Sequence, residues 1–185
     1  MSRLNLIASE TAGDRARTLL DAVQHKLGLV PNMTRAMANS PAVLDGYLQL
    51  SGALSKGSLS ARLREQLSLA VGQANGCDYC LAAHSAIGKT VGLTAEQIQD
   101  SRRGTAVDAK AEALIRFALD VLEARGKVSD EAPAAVRAAG FDDGVIAEVV
   151  AHVALDVFTN YFNNVARTDV DFPNAAPLTA EPARV

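Results

Sequence analysis

Glu65-Gln-Leu-Ser-Leu-Ala-Val-Gly-Gln-Ala-Asn-Gly-Cys77-Asp-Tyr-Cys80-Leu-Ala-Ala-His84 contains both cysteines of the 185-residue chain and one of its three histidines. Cys77, Cys80 and His84 stand at i, i+3 and i+7. On a helix, at about 100° per residue, the three fall within about 60° of one another. Asn75-Gly76 is a helix stop and turn, so one helix ends near Ala74 and another starts at the cysteines. That start carries unpaired N–H groups and the positive end of the helix dipole, both of which favour a thiolate. A thiol pair that can close into a disulfide thus shares a face with a base, His84, and follows an acid, Glu65, on the preceding helix.

The chemistry open to such a set can be written from the residues. A thiolate attacks a peroxide O–O bond and becomes a sulfenic acid. A second thiol three residues away condenses with it to a disulfide, and a dithiol reductant resets the pair. His84 can take the thiol proton, and Glu65 can orient the imidazole or pass the proton on. Two other readings use the same residues. Cys-x-x-Cys is half of many zinc sites, but here no second pair exists and an outside ligand would be needed. Two small buried thiols beside a core histidine would have no chemistry at all.

Outward from the motif, the chain reads as all-α. The long segments are rich in Ala, Leu, Glu, Gln and Arg, hydrophobic residues make up 49%, and there is no Trp. No stretch alternates with a period of two. Asp14 to Leu27 is amphipathic and is closed by Gly28. His25 near its end reads as an exposed helix-end histidine. A short helix is expected from Met33 to Ala38 and another from Ser40-Pro41 to Leu54, with Pro at the first helical position. Ser60 caps the Glu65 helix, and the cysteine helix runs to Val91-Gly92. Thr94 to Gln97 has a capping-box pattern opening a helix to Ser101. Asp108 caps a helix to Arg125, Ser129 a short one to Gly140, and Asp142 the last, from Asp143 to Ala166. On that last helix His152, Asp156, Thr159 and Asn163 share one face. They read either as a hydrogen-bonded stripe at a packing interface, the favoured reading, or as the lining of the thiol pocket. Tyr47, Tyr161 and Phe162 read as core or interface aromatics. The Glu65 and Glu148 helices suggest two related halves only weakly.

The length suits one domain over residues 1–185, with its core at about 14–166. The tail from 167 has no local reason to order and is expected to pack on the core or a neighbouring subunit. The net charge of -3, with both signs interspersed, argues against a nucleic-acid partner. The N-terminus lacks a secretory pattern, and the apolar run Val145 to Val150 is interrupted by Glu148 and His152, so no membrane span is expected. A cytoplasmic location follows, where a Cys-x-x-Cys pair points to redox or metal chemistry rather than a structural staple.

Glu-x11-Cys-x-x-Cys-x3-His resembles the signature of the alkylhydroperoxidase AhpD-like proteins within the carboxymuconolactone decarboxylase superfamily. Tyr79 between the cysteines is similar to the peroxidase-related branch. So are the flanking Leu29-Val30-Pro31-Asn32, Val157 to Asn163, and Val170-Asp171-Phe172-Pro173. The resemblance implies an AhpD-like helical bundle that forms homo-oligomers, with a hexamer favoured over a trimer or dimer. It implies that Cys80 attacks peroxide, that Cys77 resolves the product, and that Glu65 and His84 form a proton relay. No metal or cofactor is implied. The reductant it implies is a dithiol, such as one carried by a lipoyl-bearing protein. The helix-start argument alone favours Cys77 as the nucleophile, and Asp78 would oppose ionisation nearby. The best-known alkylhydroperoxidases carry a histidine between the cysteines, a proton carrier that Tyr79 does not replace. Decarboxylases of the superfamily lack the thiol pair.

Overall fold

Residues 1–178 are described by a computed structural model, and among them every regular element is helical. The helices are α1 (Asp14–Leu27), α2 (Asn32–Met37), α3 (Pro41–Leu54), α4 (Ala61–Ala74), α5 (Asp78–Thr90), α6 (Ala95–Arg102), α7 (Ala109–Glu123), α8 (Glu131–Ala138) and α9 (Asp143–Ala166). A single 3-10 turn, Ser9–Thr11, lies in the lead-in.

The caps carry much of this layout. Ser60 accepts from Leu63 N–H, Asp108 from Ala111 N–H and Asp142 from Val145 N–H. Thr94 and Gln97 form the reciprocal capping box. Gly28 ends α1 in the left-handed region at φ 76°. One cap differs from expectation. Ser129 does not cap α8: the residue before the helix is Asp130, in right-handed helical geometry and without a side-chain cap bond. Ser129 instead contributes its carbonyl to Ala132 N–H, so the chain is already turning one residue earlier.

α4 sits at the centre, against α5, α6, α7 and α9. Its inward residues Leu67, Ala70 and Val71 join Leu114, Ile115 and Ala118 of α7, Val136 of α8, and Val149 and Val153 of α9 in one aliphatic core. Side chains of Leu or Ile size buried this completely each stabilise the fold by roughly 1.5–3 kcal/mol. A second cluster, built from α1, α2, α3 and α5, encloses Cys77, Tyr79 and Cys80.

α9 has the length and hydropathy to cross a bilayer: 24 residues with a mean hydropathy of 1.4 in its most apolar window. Glu148 and His152 therefore interrupt the run less than the sequence reading supposed, because valines and alanines on either side outweigh them. Its inward face is committed to the protein core, and it includes His152, Asp156, Asn160 and Asn163, all buried. Glu148 has a separate task. Its carboxylate accepts from Ser58 N–H at 2.8 and 2.9 Å and from Leu59 N–H at 3.1 Å, closing the α3–α4 loop. A Cβ on Gly57 would lie 2.4 Å from a Glu148 carboxylate oxygen, so a larger residue there would push the carboxylate off these N–H groups.

The described part of the tail lies on its own chain. Asp171 and Phe172 cover Tyr79, and Ala175 packs on the cluster around Leu81 and Ile98. Arg102 and Gln99 donate to the carbonyls of Ala176 and Pro177. Of the expected tail packing, residues 179–185 lie outside the described residues.

Candidate active site

The break at Asn75-Gly76 delivers the cysteines to a helix start. Gly76 takes φ 58°, in the left-handed region, and Cys77 N–H reaches back to the Gly72 carbonyl at 3.0 Å. Cys77 is the N-cap of α5, and its sulfur accepts from Cys80 N–H at 3.2 Å. A disulfide joins Cys77 to Cys80. α4 and α5 pack against each other here, at Gly72. A Cβ at that position would already touch Cys80 Cβ at 3.6 Å. Cys77 is fully buried and Cys80 is 3% exposed, so the pair is reached only through its immediate neighbours.

His84 and Glu65 meet as anticipated. Nδ1 of His84 lies 2.8 Å from Oε2 of Glu65. A carboxylate only accepts, so Nδ1 carries the proton and Nε2 is left as the working nitrogen. The two side chains are 23% and 15% exposed, which makes them the more open side of the site. Burial opposes a charge on His84, but the charge and hydrogen bond of Glu65, with a smaller contribution from Asp156, hold its pKa above the ordinary value.

The polar face of α9 combines both readings: Asp156 is hydrogen-bonded across to α4, as in a packing stripe, while Asn163 reaches the cysteines. Asn163 points its amide nitrogen at Cys80 Sγ, 3.5 Å away, and at Met33 Sδ, 3.2 Å away. Asp156 is buried and accepts from Ser68 Oγ at 3.0 and 3.2 Å, and its charge acts on both His84 and Tyr47. Burial pushes the Asp156 carboxyl up to about 6. His152 is held below the ordinary histidine value, chiefly by burial and then by Arg64, and its Nε2 has no hydrogen-bond partner among the described residues. Thr159 donates to the Asp156 carbonyl at 3.1 Å and so belongs to the scaffold of the face.

Ser68, one helical turn after Glu65, was missed by the sequence reading. A Ser beside a buried carboxylate gives no sequence signal until α9 is placed against α4. Tyr47 is half-buried next to these groups, and burial pushes its phenol up. Phe162 packs on the cysteine cluster, whereas Tyr161 is 55% exposed.

Tyr79, between the cysteines, is held rather than free. Its hydroxyl accepts from Met33 N–H at 3.2 Å and donates to Asp171 Oδ1 at 2.8 Å, while Asp171 Oδ2 accepts from Asn32 N–H at 2.7 Å. The Phe172 ring packs edge-on against Tyr79 with centroids 5.8 Å apart. Burial, with Asp171 beside it, drives the phenol far above its usual range, so Tyr79 is a strut and not a proton carrier. Among the described residues, no group of three or more His, Cys, Asp or Glu side chains is arranged to hold a metal ion. The cysteine pair is engaged with itself.

The site is thus a disulfide at a helix start, beside a His–Glu pair, in a helical bundle. Residues 41–124 match the carboxymuconolactone decarboxylase family. The structure is similar to the alkylhydroperoxidase AhpD core of a peroxidase-related protein from Ralstonia eutropha JMP134, with a TM-score of 0.84 and 26% identity over 92% of each chain. It is also similar to a peroxidase-related protein from Silicibacter sp. TM1040, with a TM-score of 0.80 and 23% identity over 91% of each chain. A third similar fold is that of the debrominase Bmp8, with a TM-score of 0.75 and 16% identity over 92% of this chain and 91% of that one. No curated protein gives a sequence match. These likenesses support placing the chain with the AhpD-like proteins of the carboxymuconolactone decarboxylase superfamily.

Proposed function

We propose that the protein is a thiol-dependent peroxidase that reduces organic or hydrogen peroxides through a Cys80/Cys77 cycle, with His84 and Glu65 as the proton relay. The observation that carries this reading is the 2.8 Å His84–Glu65 bond on the open side of a buried Cys77–Cys80 disulfide.

In the reduced protein His84 Nε2 takes the Cys80 proton, directly or through water. The thiolate attacks the terminal peroxide oxygen and the O–O bond breaks. Cys80 becomes a sulfenic acid, and the alcohol or water leaves with the proton returned by His84. The Cys77 thiol then condenses with Cys80–SOH, releasing water and forming the disulfide. A dithiol reductant, such as a lipoyl group on a partner protein, exchanges with that disulfide and restores both thiols. No resident metal or organic cofactor takes part.

A homo-oligomer, with a hexamer favoured, fits one further feature. Val150, Ala154, Phe158, Tyr161 and Val165 form an exposed stripe along α9 at helical spacing. Light scattering on the eluted peak of a sizing column measures its state: a mass near 19.4 kDa would mean a monomer and end this part of the proposal.

The test of function is peroxide consumption with dihydrolipoamide. Multiple turnovers in the wild type, lost in Cys80→Ser and reduced in His84→Gln, are expected. The burial of both sulfurs favours one second reading, a redox sensor that is oxidised once and re-reduced slowly. A single stoichiometric oxidation with every dithiol donor, thioredoxin and lipoyl domains included, would select it.

A further inference from the structure

We propose that Asn163 is a catalytic residue of the dithiol site: its amide N–H groups make Cys80 the nucleophile, and its carbonyl oxygen receives the hydrogen that the sulfur acquires with the peroxide oxygen. This rests on the dithiol cycle proposed above and adds to it a residue from α9, outside the Glu-x11-Cys-x-x-Cys-x3-His pattern.

The geometry carries the argument. Asn163 is 3% exposed and lies in the last turn of α9, where its backbone carbonyl accepts from Arg167 and Thr168 N–H. Its Nδ2 faces Cys80 Sγ at 3.5 Å and Met33 Sδ at 3.2 Å. A disulfide sulfur and a thioether have lone pairs and no hydrogen, so only the donor end of the amide can face them. That orientation leaves Oδ1 buried without a partner among the described residues. A buried acceptor without a partner costs free energy, so the oxidised state holds this group in reserve.

Each later state of Cys80 has a use for that amide. When Cys80 is a thiolate, the bond from Nδ2 becomes charge-assisted and strengthens. When Cys80 has taken the peroxide oxygen, its S–O–H presents a donor, and Oδ1 is the acceptor left open beside it. Cys77 is placed differently. Its sulfur is fully buried and already accepts from Cys80 N–H, within the N-cap of its own helix. The helix start, through that N–H bond, supports ionisation of Cys77, whereas the α9 amide acts on Cys80. This supplies a structural reason for a choice that the position of the helix start would have made the other way.

Two readouts in a Cys77→Ser background test this. The first is the rate at which methyl methanethiosulfonate modifies Cys80 as a function of pH, which needs neither peroxide nor reductant. Asn163→Ala should move the midpoint upward and slow the reaction roughly tenfold at pH 7. Asn163→Asp, nearly isosteric, should move it further because a carboxylate then faces the thiolate. His84, Glu65, Asp156 and Tyr47 are present in every variant, so their effects on the midpoint cancel in the comparison. Unchanged midpoints in both variants would overturn the proposal. The second is the rate with hydrogen peroxide at a pH above both midpoints. Asn163→Ala should lose roughly tenfold toward hydrogen peroxide while keeping its rate toward methyl methanethiosulfonate. Equal losses toward both reagents, or no loss toward either, would overturn the acceptor role. A peroxidase reading that fails leaves the first readout intact: the protein would not turn over peroxide, yet the Asn163 variants would still shift the thiolate.

Discussion

The aliphatic core between α4, α7 and α9 and the cluster around the cysteines are built by opposite rules. In the first, Leu114, Ile115, Ala118 and Val149 are fully buried and carry no polar side-chain atom to satisfy. In the second, a disulfide, a tyrosine and two methionines sit at the edge of buried polar groups from α9. Some of those groups are unpaired: Asn160 Nδ2 and Asn163 Oδ1 have no hydrogen-bond partner among the described residues. Burial without a partner costs free energy. A fold that needed only stability would have placed apolar residues there, as it does a few turns away on the same helix. The difference teaches where stability was exchanged for chemistry.

The two glutamates make the same point on a smaller scale. Glu148 ties down backbone N–H groups of the α3–α4 loop, a structural task. Glu65 binds an imidazole on the open side of a disulfide. The weak suggestion of two related halves finds no support in what these acids do.

Cys80→Ser is the largest functional break and should remove peroxide turnover altogether, read as consumption with dihydrolipoamide, while leaving the thermal midpoint near that of the reduced wild type. Leu114→Ala strikes the other region. It should cost about 2–5 kcal/mol in denaturant unfolding, with the surviving folded fraction keeping its specific activity. If it instead abolished activity in the folded fraction, the two regions would not be separable.

Asp156→Asn sharpens the comparison through pH. The folded pKa of Asp156 is raised, so the acid binds its proton more tightly in the folded state. Stability should therefore fall as pH rises from its ordinary value of 3.8 toward about 6, and stay lower above that. The asparagine variant should lack a decline on the order of 2 kcal/mol across this window, measured by urea unfolding at pH 4 and pH 7. Equal pH slopes in the two proteins would place the carboxyl in an environment less buried than described.

His84 has the opposite sign. Its folded pKa is raised by Glu65, so the pair contributes stability fully below the ordinary value of 6.5, and this is lost as pH rises through the folded value. Glu65→Gln should remove most of that contribution. It should also move the rising limb of the pH–rate profile, where neutral His84 is needed, to lower pH. A limb that stays in place would take His84 out of the base role. The smallest effect is expected from Phe172→Ala. It removes the ring over Tyr79 and should lower the thermal midpoint by a few degrees with little change in turnover. A strong gain in reductant rate would instead make this segment a cover over the disulfide.

Helix placement was legible in the sequence because caps are local. Ser60, Thr94, Asp108 and Asp142 each announce a helix within three residues of themselves. Asp130 and Ser129 show where this fails, since a turn that begins before its cap residue leaves no distinct pattern. Cys77, Cys80, His84 and Glu65 were legible because their spacing is set by one helix and one turn. Ser68 was not, and the use of Asn163 was only half visible. A polar face on an apolar helix shows that something lies opposite, but which partner it meets depends on how α9 crosses α4 and α5. The tie of Tyr79 to Asp171 joins residues 92 apart and could not be read from local pattern.

The central claim is that Cys80 attacks and Cys77 resolves. It is tested most directly by treating Cys77→Ser with one equivalent of hydrogen peroxide in the presence of dimedone and mapping the adduct by mass spectrometry. The account predicts a single dimedone adduct on Cys80, and no adduct in the wild type, where Cys77 closes the disulfide first. An adduct on Cys77 in the Cys80→Ser protein, with none on Cys80 in Cys77→Ser, would reverse the roles and contradict the account.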